Sequence, residues 1–348
     1  MKILMIGISP PEQGGSQRHI YEIASRLGAD LLTQKRSNYR GNKIEVPTIN
    51  KSVFSRNISF AKFSFPRILE LLFRKKSKKY DVIHIHENLL YFFIPLLRLR
   101  YKVVTTVHGC KGFNFFDNKF LWQIYKFFLK FSNAIIAVSK EDEKILSEYF
   151  KKVDYIPNGV DNSVYAFNSK QEKKICFIGR IHEQKGIVYL LEAFDKIKEK
   201  IPGFKLELIG KGERDYEDGL KKKFNDKRII WRGFVSNRKE IAKSLKSSYL
   251  ICLPSLWEGL PLTLFEALAS TRPVICSDLK VFRTIVNDKS ARFVRAKSSD
   301  DVAKAILFLI GNKKKAEQIG KEGKKIALKY DWNEIAKETL KTYQNLEK

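Results

Sequence analysis

The sequence predicts an α/β fold of two doubly wound, Rossmann-like units, and three observations carry that prediction. Short apolar runs recur along the chain, continuous rather than alternating, as strands covered on both faces require. Each run leads into an amphipathic stretch of helix length, and the alternation occurs in both halves, giving two parallel-sheet units. The length of 348 residues, with 44% hydrophobic residues, suits two cores of ordinary size.

In chain order, the strand-like runs of the first half are "KILMIGIS", "ADLLTQ", "KIEVPTI", "DVIHIH", "KVVTTVH" and "NAIIAVS". Those of the second half are "KICFIG", "FKLELIG", "RIIWRG", "YLICLPS" and "PVICSD". Between them Pro157, Asn158 and Gly159 in "YIPNGVDN" form a turn signal, placing the domain boundary at 157/158. The second domain then runs over 158–331, and "DWNEIAKETLKTYQNL" predicts an amphipathic closing helix from about Trp332.

Composition narrows the partners. A formal charge of +28 attracts anions, whether nucleic acid, acidic lipid or phosphorylated small molecules. Cys110, Cys176, Cys252 and Cys276 form no CxxC pair, and three sit in apolar runs, which reads as buried reduced thiols of a reducing compartment. No run approaches the ~18–20 apolar residues needed to span a bilayer, and the N-terminus reads as a strand. A soluble, cytoplasmic chain is expected.

Ligands of open α/β sheets bind beyond the carboxyl ends of the strands. Three such loops stand out. In "GISPPEQGGSQRHIYEIA", Gly14 and Gly15 precede a helix starting near Ser16, which is either a plain turn or an anion-binding helix start. In "FIGRIHEQKGIVYLLEAF", Arg180 and Lys185 lie between a strand end and a helix start. Arg forks onto phosphate oxygens and Lys supplies a point charge, so the pair suits a diphosphate, unless both are merely solvated. In "SLWEGLPLTLFEALAS", Glu258 lies in the loop and Glu266 about one turn into the helix. Carboxylates accept paired hydroxyl bonds and suit a sugar; the plain alternative is a capping loop and an ordinary helix glutamate. His84 and His86 share one face of a strand without a completing zinc set, and His108 ends the next strand.

Taken together and in this order, "GGSQRHIYEIA", "VHG", "IPNGVD", "GRIHEQKG" and "EGLPLTLFE" resemble the retaining sugar-nucleotide transferases of glycosyltransferase family 4, over nearly the whole chain. The resemblance implies GT-B architecture: two facing doubly wound Rossmann-like domains with a cleft between them. The N-terminal domain would bind the acceptor, residues 332–348 would pack back on it, and 158–331 would bind the donor. It further implies that the amide of Gly15 meets the donor diphosphate, which Arg180 and Lys185 neutralise. Glu258 would hold sugar hydroxyls, Glu266 the ribose, and the amides near Leu262 and Thr263 sugar and phosphate. Val235 would lie against the base, and His108 would touch the sugar near the reacting carbon. The segments "LKVFRTIV" and "NDKSARFV" lack the glycines usual in the family, which leaves donor-sugar preference open.

The expected reaction is hexosyl transfer from a UDP- or GDP-linked sugar to a glycan or lipid-linked saccharide, with retained configuration, in cell-surface polysaccharide or glycolipid synthesis. Attack on the front face would let a leaving phosphate oxygen take the acceptor's proton, without a covalent enzyme intermediate. No DxD ends a strand, so no obligatory metal or other cofactor is expected. Residues 35–130 hold twenty Lys and Arg against five Asp and Glu. Within them "FAKFSFPRILELLFRKKSKKY" and "KGFNFFDNKFLWQIYKFFLKF" interleave aromatics with cations, fitting either peripheral contact with an anionic membrane at its inner face or ordinary core-packing helices. Two other functions compete: a sugar-nucleotide 2-epimerase of the same architecture, and nonspecific nucleic-acid binding driven by charge. No RNP, zinc-finger or KH pattern supports the latter.

Overall fold

The computed structural model describes residues 1–10, 15–49, 52–73, 79–110, 119–259 and 262–346. They form two compact units, one of Met1–Asn158 with Trp332–Lys348 and one of Gly159–Asp331.

In the N-terminal unit, β1 (Ile3–Ile6), β2 (Asp30–Gln34), β3 (Lys43–Val46), β4 (Val82–Ile85), β5 (Lys102–Val107), β6 (Ala134–Ala137) and β7 (Val153–Tyr155) make one parallel sheet. Its order is β3-β2-β1-β4-β5-β6-β7. Every residue of β1, β4 and β6 is buried, because helices cover both faces. Leu4, Ile6, Ile83, Ile85, Val103 and Val107 join Phe60, Tyr91 and Leu97 in the core. The helix Lys140–Ser147 starts where the Ser139 hydroxyl accepts the Asp142 amide, an N-cap that satisfies an otherwise free donor.

The helix Trp332–Gln344 follows the second unit in sequence but packs in the first, against the helix Gly15–Leu27. Trp332 and Tyr343 are fully buried there. Thr342 donates to Asp154 at 2.5 Å and Arg26 to Asn333 at 2.9 Å, fixing both ends of the helix.

In the C-terminal unit, β8 (Lys174–Ile178), β9 (Lys205–Ile209), β10 (Ile229–Gly233), β11 (Leu250–Leu253), β12 (Val274–Ser277) and β13 (Arg292–Val294) run parallel in the order β10-β9-β8-β11-β12-β13. Ile175 and Phe177 face one helix layer, where they meet Leu190 and Phe194; Cys176 and Ile178 face the other, with Leu264 and Phe265. This two-residue alternation with both sides apolar is why the strand reads as an unbroken apolar run. All four cysteines are free and buried, and burial pushes the Cys176 thiol up to about 12. Such thiols are inert.

The strand order reverses between β8 and β11 in this unit, and between β1 and β4 in the other. Loops leaving these strand pairs are where an open α/β sheet takes its ligand. Arg180, Lys185 and Glu258 all lie on the loops after β8 and β11.

Candidate active site

The loop after β8 ends in a short turn, Glu183–Lys185, capped when His182 Nδ1 accepts the Gln184 amide at 3.1 Å. Gly186 then turns the chain into the helix Ile187–Ile197 with φ of +59°. A Cβ at Gly186 would stand 2.0 Å from the carbonyl oxygen of Pro254, so only glycine lets the two loops meet. At Gly210, φ of +147° and an imagined Cβ 1.8 Å from the Gly179 oxygen impose the same demand on the loop after β9.

With the loops this close, Lys185 Nζ donates to Glu258 Oε1 at 2.6 Å, and Ser255 Oγ donates to the same oxygen at 2.7 Å. Both side chains are largely withdrawn from solvent, Lys185 at 14% and Glu258 at 5% exposure. Arg180 is held differently: its Nη2 donates to the Gln184 carboxamide oxygen at 3.0 Å. Gln184 Nε2 donates onward to the Trp257 carbonyl at 3.0 Å, and the Leu256 amide donates to the Gln184 carbonyl at 2.7 Å.

Glu266 occupies the helix Leu262–Ala269, where its carboxylate is 6% exposed and receives Arg238 Nη1 at 2.7 Å. The two glutamates therefore serve different cations. Leu262 and Thr263 open that helix, and Val235, partly buried, packs against its core. Arg180, Lys185 and Glu258 are thus brought together by direct or one-residue links, whereas Glu266 and Val235 belong to the neighbouring stretch of the same unit.

In the N-terminal unit, Gly15 is the first residue of the helix Gly15–Leu27; Gly14 lies outside the described residues. His108 follows β5 directly and belongs to a cluster of four imidazoles. His86 Nδ1 and His108 Nε2 lie 3.1 Å apart, with their rings stacked at 28°. His84 sits between Tyr343 Oη at 2.6 Å and Thr106 Oγ1 at 2.7 Å. His19 Nδ1 lies 2.8 Å from Asn158 Oδ1, its ring edge-on to His108 at 5.1 Å and to Trp332 at 5.7 Å. Because Asn158 Oδ1 can only accept, His19 carries its proton on Nδ1. Burial lowers all four: His19 falls to about 4, and His84, His86 and His108 lie well below their ordinary value, their neighbouring imidazoles adding to the effect. His108 is therefore a neutral hydrogen-bonding group at neutral pH. Both ring nitrogens of His84 are engaged by Tyr343 and Thr106, and among the described residues no group of three His, Cys, Asp or Glu is arranged to hold a metal ion.

Sequence reasoning missed His19, Gln184, Ser255 and Arg238. His19 had a signal, since it shares the buried side of its helix with Ile20 and Ile23. A hollow of about 350 Å³ in the N-terminal unit lies elsewhere, among Lys43, Glu45, Arg67 and Glu70. There Lys43 pairs with Glu45 and Arg67 with Glu70, each at 3.2 Å, and Lys79 stands 3.9 Å from Asp30.

The chain thus has two doubly wound units, one of them with cations and carboxylates gathered at its switch point. Residues 164–326 match the family model described as glycosyl transferases group 1, and residues 13–164 match glycosyltransferase family 4. The chain belongs to these glycosyltransferases and has their GT-B fold. An uncharacterized glycosyltransferase of Methanocaldococcus jannaschii is 29% identical over 76% of this chain and 75% of its own length. The Escherichia coli UDP-Gal:alpha-D-GlcNAc-diphosphoundecaprenol alpha-1,3-galactosyltransferase is 29% identical over 72% of this chain and 69% of its own. Among solved structures, Anabaena HepE in complex with UDP superposes with a TM-score of 0.80 at 15% identity, covering 99% of this chain and 100% of that one.

Proposed function

We propose that this glycosyltransferase moves a hexosyl group from a UDP- or GDP-linked sugar, with retained anomeric configuration, to a glycan or lipid-linked saccharide in cell-surface polysaccharide or glycolipid synthesis. The observation that carries the donor site is the coupling of two loops at the β8/β11 switch point, where Lys185 meets Glu258 and Arg180 stands beside them. A diphosphate entering there meets a guanidinium that forks onto its oxygens and an ammonium that gains a second anion. As the glycosidic bond breaks, negative charge grows on the departing phosphate, and these fixed cations stabilise it most at that moment. They take the place of a divalent ion, so no metal is obligatory.

Glu258 receives sugar hydroxyls, and Glu266 the ribose hydroxyls, exchanging part of its bond to Arg238. Val235 flanks the base, and the amides at Leu262 and Thr263, with Gly14 and Gly15, supply neutral donors to phosphate or sugar. His108, uncharged, offers a hydrogen bond to the sugar rather than a proton. Attack comes from the face the diphosphate leaves, so a phosphate oxygen takes the acceptor's proton and no glycosyl-enzyme forms.

The galactosyltransferase relative acts on a diphosphoundecaprenol-linked acceptor, which supports a lipid-linked acceptor here. A surface of the N-terminal unit supports it independently. Phe92, Leu96, Leu99 and Phe127 are exposed on adjoining elements, with Phe92 packed on Phe128 at 4.8 Å and Phe127 on Phe131 at 5.5 Å. Lys126 and Lys130 lie on the same helix or just beyond it, so aromatic and cationic groups together suit the headgroup region of an anionic leaflet. Among the described residues no helix is long and apolar enough to cross a membrane, so the contact would be peripheral. The deciding experiment incubates the protein with UDP-, GDP- and ADP-sugars, scores thermal stabilisation, and determines the linkage of product formed with polyprenyl-diphosphate saccharides by NMR. Stabilisation by no sugar nucleotide, or an inverted linkage, refutes the proposal. Appearance of a C2 epimer from UDP-GlcNAc alone would replace transfer with epimerisation.

A further inference from the structure

The two cations of the donor site are held by opposite kinds of partner. Lys185 is paired with a carboxylate at 2.6 Å, whereas Arg180 is tethered at 3.0 Å to the neutral carboxamide of Gln184. Among the described residues Arg180 has no carboxylate partner, so its charge is not cancelled before a ligand arrives.

Gln184 is placed where only an amide satisfies both neighbours. Its oxygen must accept from a guanidinium, which has no acceptor, and its nitrogen must donate to the Trp257 carbonyl, which has no proton. A carboxylate at this position would receive Arg180 as an ion pair and set its second oxygen against the Trp257 oxygen. That exchange would neutralise the cation and push away the loop bearing Glu258. A methionine would fill the same space with neither bond. The main chain of Gln184 adds two more links, to His182 and to Leu256.

We propose that Gln184 is a positioning residue of the diphosphate site, holding the Arg180 guanidinium without neutralising it and fastening the loop after β11 to the loop after β8. This rests on Arg180 being a ligand of the donor diphosphate, and the test separates the two statements. Calorimetric titration with UDP and GDP, and with uridine and guanosine as phosphate-free probes, is carried out on the wild type, Gln184→Glu, Gln184→Met and Arg180→Ala. Gln184→Glu is expected to raise the Kd of the tighter diphosphate about tenfold, the cost of one close competing charge, and to leave the matching nucleoside within about twofold. Gln184→Met, which loosens the guanidinium but adds no charge, is expected to raise the diphosphate Kd about threefold. If Arg180→Ala weakens diphosphate binding while Gln184→Glu binds as wild type, the positioning role is overturned and the donor site stands. Equal loss of nucleoside and diphosphate affinity in Gln184→Glu would also overturn it, since that is what a merely folded-loop role predicts. If Arg180→Ala binds UDP and GDP as wild type does, the donor assignment itself fails.

Discussion

Acidification should unfold the N-terminal unit well before it affects the other, because four imidazoles are buried neutral in one cluster. The folded values lie below the ordinary 6.5, with His19 at about 4. Below 6.5 the unfolded chain therefore binds protons that the folded unit refuses. Since stability rises with pH wherever the unfolded state holds more protons, the contribution is complete above 6.5 and is lost as pH falls towards 4. At about pH 5.5 an unfolded His19 is mostly protonated and the folded ring is not, which removes on the order of 1 kcal/mol relative to about pH 8. His84, His86 and His108, lowered by burial and by one another, shift the balance in the same direction. The assay is urea unfolding at the two pH values, followed by fluorescence after Trp231→Phe and Trp257→Phe, so that Trp122 and Trp332 report the N-terminal unit alone. Replacing His84 by Asn should lower stability at about pH 8 yet reduce the acid-dependent loss by about one ring's share. A fall of less than about 1 kcal/mol between the two pH values would show that these rings are not held neutral, and the burial argument would fail.

Gly186→Ala places a methyl group against the Pro254 oxygen in a left-handed backbone, and should destabilise the C-terminal unit by more than about 2 kcal/mol, read as a lowered Tm. Lys185→Ala leaves the Glu258 carboxylate with Ser255 alone. It should abolish transfer and lower Tm, and the added change Glu258→Gln should recover stability without recovering activity; restored activity would contradict the donor site. Glu266→Ala should likewise abolish transfer, with Arg238 left free of that carboxylate, as measured by product formation at saturating donor. Phe92→Ser with Phe127→Ser should reduce co-sedimentation with vesicles containing anionic lipid by about tenfold, and equal wild-type binding to neutral and anionic vesicles would remove the membrane contact.

The strands most plainly legible in the sequence are those whose residues are buried on both sides, although the edge strands β3 and β10 were legible too. β1, β6 and β11 read as unbroken apolar runs because both of their faces are covered, while β4 and β8 add only His84 and Lys174, whose polar atoms are hydrogen-bonded. β7 and β13, three residues each at sheet edges, carry no such run: Val153–Tyr155 is half-exposed throughout, and Arg292 begins the other. Arg180, Lys185 and Glu258 were legible because their loops follow strand ends and carry charges that a turn does not require. Gln184, Ser255 and Arg238 were not, since each matters only through a partner on another loop, set by how closely Gly186 lets those loops approach. His19 and His86 come together for the same reason, through helix packing that no local pattern encodes.

The helix that opens with Trp332 gives synthesis an order of events. Everything that surrounds it in the first unit is translated early, yet the 173 residues of Gly159–Asp331 must be made before it leaves the ribosome. At roughly 5–20 residues per second the nascent sheet waits on the order of ten to thirty seconds with its imidazoles uncovered. During that interval the second unit can fold, so a helix made after the second unit closes the first.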